Sequence, residues 1–275
     1  MFATLLKEEL LSKGRTYLQI VAILAATGLG ASVIGAVPAL LGAEVLTTFT
    51  GLASVVAFIV AVPIVAVSEL IDYWQSMYGQ RGYLTMTVPA RGREVFGAKV
   101  VFGLAATLLA MVFAALGVSA TVMVSAWLRG VEVASLIAPL RGMVEYFGAG
   151  FVWGFATFLI LQLLSWMVII EAVMSIGAQA RWNRMGAGAP VIGVLAVYLI
   201  GQVLTVAAII VVPVGLDLPS HQIVWEGSLP SMVATWGTGE DPSVLGLGFL
   251  PVPLVLAAVL AWRAVPAIEK HTSLR

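Results

Sequence analysis

Cysteine is missing from this chain of 275 residues, histidine occurs twice, and Asp, Glu, Lys and Arg together make up only 10%. Without cysteine there is no disulfide framework, thiolate nucleophile or Cys-based metal site. The two histidines, His221 and His271, form neither an H-E-x-x-H metal motif nor a Ser–His relay. No G-x-x-x-x-G-K-[ST] phosphate loop is present, so any ATP hydrolysis linked to this protein takes place in another chain. Zero formal net charge and the absence of a dense Lys/Arg cluster argue against nucleic acid as a partner. Fourteen acids and 14 bases are too few to clothe a water-soluble domain of this size.

Apolar residues are abundant instead, at 61% against roughly 45–50% in soluble domains. A bilayer core asks for about 20 apolar residues in a helix. Six stretches meet or approach that: Tyr17–Leu41, Val45–Ser68, Val95–Trp127, Phe147–Gly177, Ala189–Val214 and Val244–Val265. The third and fourth exceed the bilayer's need and are expected to project from it. The fold class this predicts is an all-α membrane protein with six transmembrane helices in a single domain, residues 1–275.

Orientation follows from the sidedness of Lys and Arg. With both termini cytoplasmic, twelve of the 14 basic residues fall inside, and only Arg129 and Arg141 fall outside. Residues 1–15 are read as an uncleaved leader in which Phe2, Leu5, Leu6 and Leu10 share one face, predicting a short amphipathic helix on the membrane surface. The adjacent acids Glu8 and Glu9, like Glu240 and Asp241, read as solvated charges. The longest outer segment, 215–243, holds Pro219, Pro230 and Pro242, with Trp225 and Trp236 suited to the interface, and is expected to be irregular.

The most patterned polar segment lies between spans two and three. Leu70, Tyr73, Trp74, Met77 and Tyr78 recur at helical spacing, with Glu69, Asp72 and Ser76 opposite, predicting a short amphipathic helix at the inner surface. Gly79 and Gly82 bracket a turn around Gln80 and Arg81, and Arg91 to Glu94 opens the third span.

The stretch Asp72 to Val100, DYWQSMYGQRGYLTMTVPARGREVFGAKV, resembles the same region in permease subunits of bacterial ABC exporters of the type-2 family. In those proteins an aromatic-rich helix leads into a Gly-charged-Gly-Tyr-Leu turn, a strand-like Thr-x-Thr-x-Pro piece and a basic start to the next helix. The matching residues are Tyr73, Tyr78, Gly79, Arg81, Gly82, Tyr83, Leu84, Thr85, Thr87, Pro89 and Lys99. Gln80 stands where relatives often carry an acid. A second, weaker match runs from Ser175 to Gly177 and through the basic turn from Gln179 to Arg184. The resemblance implies a permease in the bacterial plasma membrane that pairs with a second copy or homologue. It further implies two cytoplasmic ABC ATPase subunits, which would bind ATP and Mg. Asp72, Tyr73, Trp74, Tyr78, Gly79, Arg81, Gly82 and Tyr83 become the candidates for coupling to the ATPase, and this chain binds no cofactor of its own.

Within the spans, Glu171 is either functional or reaches the cytoplasmic surface to meet Arg181 or Arg184. Gln162 and Gln202 are candidates for bonding between helices or for lining a substrate route. Pro251 and Pro253 either kink the last span or lie in the first turn of a shorter one. Ala31 with Gly35, and Gly150 with Gly154, fit close helix packing. Two other readings stay open: an ion-coupled secondary transporter, which needs intramembrane carboxylates, and a non-transporting membrane anchor or immunity-type protein.

Overall fold

Backbone N–H and C=O groups in hydrocarbon must be satisfied within the segment, and a helix achieves this for each long apolar run. The computed structural model is accordingly 81% helical, with six helices among the described residues long and apolar enough to cross a membrane. It describes residues 1–79, 81–186, 188–220, 222–239 and 241–271, without the side chains of Ala39, Leu40, Asn183, Arg184 and His271. Gln80, His221 and Glu240, on which expectations were placed, lie outside the described residues, as do the side chains of Arg184 and His271.

The chain forms two compact units, Met1–Gly148 and Ala149–Arg275. In the first, α1 (Phe2–Leu40), α2 (Glu44–Met77) and α4 (Gly92–Arg129) pack mutually, with the short α3 (Gly82–Thr87) between the last two. Two small helices follow, α5 (Val133–Leu136) and α6 (Ala138–Phe147). At 1.5 Å per residue, α1 and α4 are each about 57–59 Å long, nearly twice the hydrocarbon thickness.

That length corrects two expectations. The leader is no separate surface helix, because α1 runs unbroken from Phe2 into the first span; no proline interrupts it before Pro38. Nor is the amphipathic stretch after span two a separate element. It is the last part of α2, ending at Met77. The Thr-x-Thr piece, expected as strand-like, is the helix α3, and only Val88 to Arg91 beyond it is extended or irregular.

Close packing in this unit centres on Phe58 of α2, whose ring lies between two glycines. A Cβ on Gly28 of α1 would come within 2.6 Å of the ring, and one on Gly117 of α4 would overlap it outright. Beside them, the Ser54 hydroxyl donates to the Gly28 carbonyl at 2.8 Å and lies 3.0 Å from the Thr121 hydroxyl. Small polar groups thus bond across helices where lipid offers no partner. Gly35 also packs within the unit, against Thr50 of α2.

The second unit contains α7 (Ala149–Gly177), a 3-10 turn (Ala180–Met185), α8 (Gly188–Val211) and α10 (Val252–His271). Its core joins Ile169 and Val173 of α7 to Ala257 of α10, with Trp166, Val194, Val197 and Leu260 around them. The segment expected to be irregular, 215–243, is so only in part. β1 (Gly215–Asp217) pairs antiparallel with β2 (Gln222–Val224) and with β3 (Val244–Gly246), and α9 (Ser228–Thr235) lies between β2 and β3. The sheet and α9 abut the C-terminal end of α8. The Ser228 hydroxyl donates to the Ile209 carbonyl at 2.8 Å, satisfying one of the orphan acceptors there. A Cβ on Gly248 would overlap the Ala208 carbonyl oxygen, so only glycine fits.

Residues 244–246 are therefore strand, not span, and the last long helix starts at Val252. Pro251 and Pro253 flank that start and kink nothing, since a first-turn N–H has no helical acceptor to lose. The prolines inside long helices are Pro38, Pro63 and Pro266.

Candidate functional site

The end of α2 is built to hold a loop firmly. Tyr73 is fully buried and meets Phe96 of α4 edge-on at 6.4 Å and Tyr78 at 6.3 Å. Trp74 and Tyr78 rings lie 5.3 Å apart. The Tyr78 and Gly79 amides both donate to the Trp74 carbonyl, at 2.9 and 3.1 Å, closing the helix. A side chain on Gly79 would stand 2.8 Å from the Gln75 carbonyl oxygen, which explains glycine there. The Gly82 amide then donates to the Gly79 carbonyl at 2.9 Å, and Thr85 of α3 donates its hydroxyl to the Ser76 carbonyl at 2.7 Å.

Ser76 is also the edge of a charged cluster linking all three long helices. The Lys99 ammonium of α4 donates to the Ser76 hydroxyl at 2.8 Å and to Glu9 Oε1 of α1 at 2.5 Å. Glu9 Oε2 pairs with Lys13 at 2.7 Å, and Lys13 reaches across to Asp72 and, at 3.8 Å, to Glu69 of α2. Tyr17 donates its hydroxyl to Glu69 Oε2 at 2.5 Å. Lys99 is 3% exposed and Glu69 not at all. The Lys13 ammonium lies 5.4 Å from the centre of the Phe102 ring. Charges this enclosed hold one another in register, and loss of one member leaves the others buried with fewer partners.

The cluster corrects the reading of Glu9 as a solvated charge and of Glu69 and Asp72 as a polar outer face. Both faces of the α2 extension are engaged, one by aromatic packing and one by ion pairs. No role at the site was expected of Tyr17, Lys13 or Glu69. The i,i+4 spacing of Glu9 and Lys13 was visible in the sequence, and so was Lys99 four residues inside an apolar run. Their meeting was not. Among the described residues, no three His, Cys, Asp or Glu side chains are placed to hold a metal ion.

The coupling candidates thus divide. Tyr73 and Gly82 are buried, Trp74, Tyr78 and Gly79 are partly buried, and Asp72 is held by Lys13. The surface is formed by Arg81, by Tyr83 at 52% exposure, and by Leu84 at 74%. Arg81 also lines a cleft of about 310 Å³ with Lys13, Tyr17, Asp72 and Gln75. Leu84, part of the same motif, is more exposed than either Tyr83 or Tyr73.

The remaining candidates belong to the second unit. Glu171 is buried in α7, 1% exposed, and its carbonyl accepts the Ser175 hydroxyl at 2.9 Å. Gln162 lies partly buried on α7, its side-chain oxygen enclosed with no hydrogen-bond partner among the described residues. Gln202 is exposed on α8. A Cβ on Gly150 or Gly154 would meet no atom within 4 Å, unlike one on Gly35. Compared with protein-family models, curated proteins and solved structures, the chain matches none.

Proposed function

We propose that this protein is the permease subunit of an ATP-driven bacterial exporter of the type-2 ABC family. It lies in the plasma membrane with both termini cytoplasmic, forms the substrate pathway with a second permease copy or homologue, and docks separate ATPase subunits that bind ATP and Mg. The observation that carries the reading is the continuous bonded path from the exposed loop into the spans. It runs from Thr85 to Ser76, on to Lys99 and Glu9, and through Lys13 to Asp72 and Glu69. A push on Arg81, Tyr83 and Leu84 would be delivered to α1, α2 and α4 together, since their cytoplasmic ends are cross-linked by buried charge. The motif between Asp72 and Val100, the basic bias of one side and the lack of a phosphate loop support the same assignment.

In this mechanism α3 seats on the ATPase, whose closure on nucleotide moves the loop as a rigid piece. The three helices shift as one body, and the pathway alternates its exposure between the two sides. The chain performs no hydrolysis itself. The test is purification of the full-length protein from native membranes in mild detergent, with the variant Arg81→Glu/Leu84→Asp alongside. Recovery of an ATPase with the parent and its loss with the variant is the expected result. A folded variant that still carries the ATPase would remove the proposed docking surface.

The ion-coupled transporter remains a second reading because Glu171 is buried within α7. Transport that persists without any ATPase but fails in Glu171→Gln would favour it.

A further inference from the structure

The second unit carries two adjoining cavities at the end where α7 stops, α8 starts and α10 finishes. One is an apolar cleft of about 320 Å³ between α7 and α8, walled by Val173, Ile192, Ala196, Val197 and Leu260, with Arg181 and Trp182 at its edge. The other is a recess of about 570 Å³ lined by Gln179, Arg181, Arg263 and Lys270. Ile176 and Arg181 line both, so the cavities adjoin.

Among the described residues, the recess has three cations and no acid on its wall. Among the described residues, none of the three makes an ion pair; the nearest acid in sequence, Glu269, is exposed on α10 and does not line the recess. Arg181 lies 5.2 Å from the Trp182 ring and Arg263 5.9 Å from the Trp262 ring. Both tryptophans are exposed, as is usual for residues at headgroup depth. Positive charge at that depth attracts anionic headgroups, and basic pockets between membrane helices are where they bind.

We propose that these two cavities form one binding site for an anionic phospholipid. Arg181, Arg263 and Lys270 hold the phosphate-bearing headgroup, and the cleft beside Ile192 and Ala196 takes an acyl chain. A free phosphate would use the recess alone and leave the apolar cleft without a role. The site needs nothing from the loop of the first unit and stands apart from the exporter assignment.

The test is binding to the full-length protein in neutral detergent, read by native mass spectrometry. The probes are phosphatidylglycerol, phosphatidylcholine of the same chain length, and inorganic phosphate. At about fivefold per cation, three cations predict on the order of a hundredfold preference for the anionic lipid. Arg263→Gln/Lys270→Gln should reduce that preference by about 25-fold. Ala196→Trp, which fills the cleft and leaves the charges, should weaken phosphatidylglycerol and not phosphate. Equal binding of the two lipids, or indifference to both variants, would overturn the proposal. Phosphate binding as tight as phosphatidylglycerol would reassign the recess to a soluble anion and equally overturn it. Helicity and elution volume check that each variant is folded, and the cleft variant keeps the proposal open to refutation if the charge variant is not.

Discussion

The Lys99 ammonium on α4 lies 2.5 Å from a Glu9 carboxylate oxygen on α1, although 90 residues separate them in the chain. With Lys13 on the other side of Glu9 reaching Asp72 and Glu69, this pair ties α1, α2 and α4 together at the end that carries the loop. Removing Lys99 leaves Glu9 Oε1 without its donor while Lys13 still pairs with Oε2, so Lys99→Met should destabilise the protein by about 1–3 kcal/mol. The double variant Lys99→Met/Glu9→Gln should recover much of that loss. Unfolding of the detergent-solubilised protein measures both, and independent, additive effects would refute the coupling.

Packing around Phe58 sets a second expectation. Gly117→Ala places a methyl where the Phe58 ring already stands. Overpacking of this kind costs about 1–3 kcal/mol. Gly150→Ala and Gly154→Ala, where a Cβ meets nothing within 4 Å, should be neutral in the same thermal assay.

Buried and exposed aromatics of the loop should behave differently. Tyr73→Ala opens a cavity in a fully enclosed position and should cost about 3–5 kcal/mol, as large aromatic truncations do. Tyr83→Ala, at an exposed position, should leave stability within about 0.5 kcal/mol while weakening ATPase recovery. The comparison separates a folding defect from a docking defect.

The lack of native cysteine makes sidedness directly measurable. Thr238→Cys and Ser135→Cys, both at exposed positions, should react with a membrane-impermeant maleimide in intact cells. Ser12→Cys, also exposed, should react only after permeabilisation. The opposite labelling would invert the topology, and with it the placement of the loop beside an ATPase.

Much of this architecture was legible in the sequence because lipid imposes one demand: an apolar run of about 20 residues must be helical. Spans one to five were found on that basis. What escaped was the continuation of helices past the apolar runs. Glu9, Lys13, Glu69 and Asp72 look like residues bound for water, and only the partners that three-dimensional packing brings to them show otherwise. The last span was misplaced because Val244 to Leu250 is apolar enough to pass for helix, yet its backbone is used by β3 against β1. The loop motif placed Tyr73, Tyr78 and Gly79 correctly in one region but could not rank them by exposure. Sorting Leu84 and Tyr83 from Tyr73 required knowing which face of α2 the fourth helix covers.

The measurement that bears most directly on the central claim is purification of the full-length protein from its native membranes, followed by mass spectrometry of what accompanies it. The account predicts a nucleotide-binding ATPase in stoichiometric amount, lost in Arg81→Glu/Leu84→Asp while the variant remains helical and membrane-inserted. A folded parent protein that transports its substrate with no ATPase attached would contradict it.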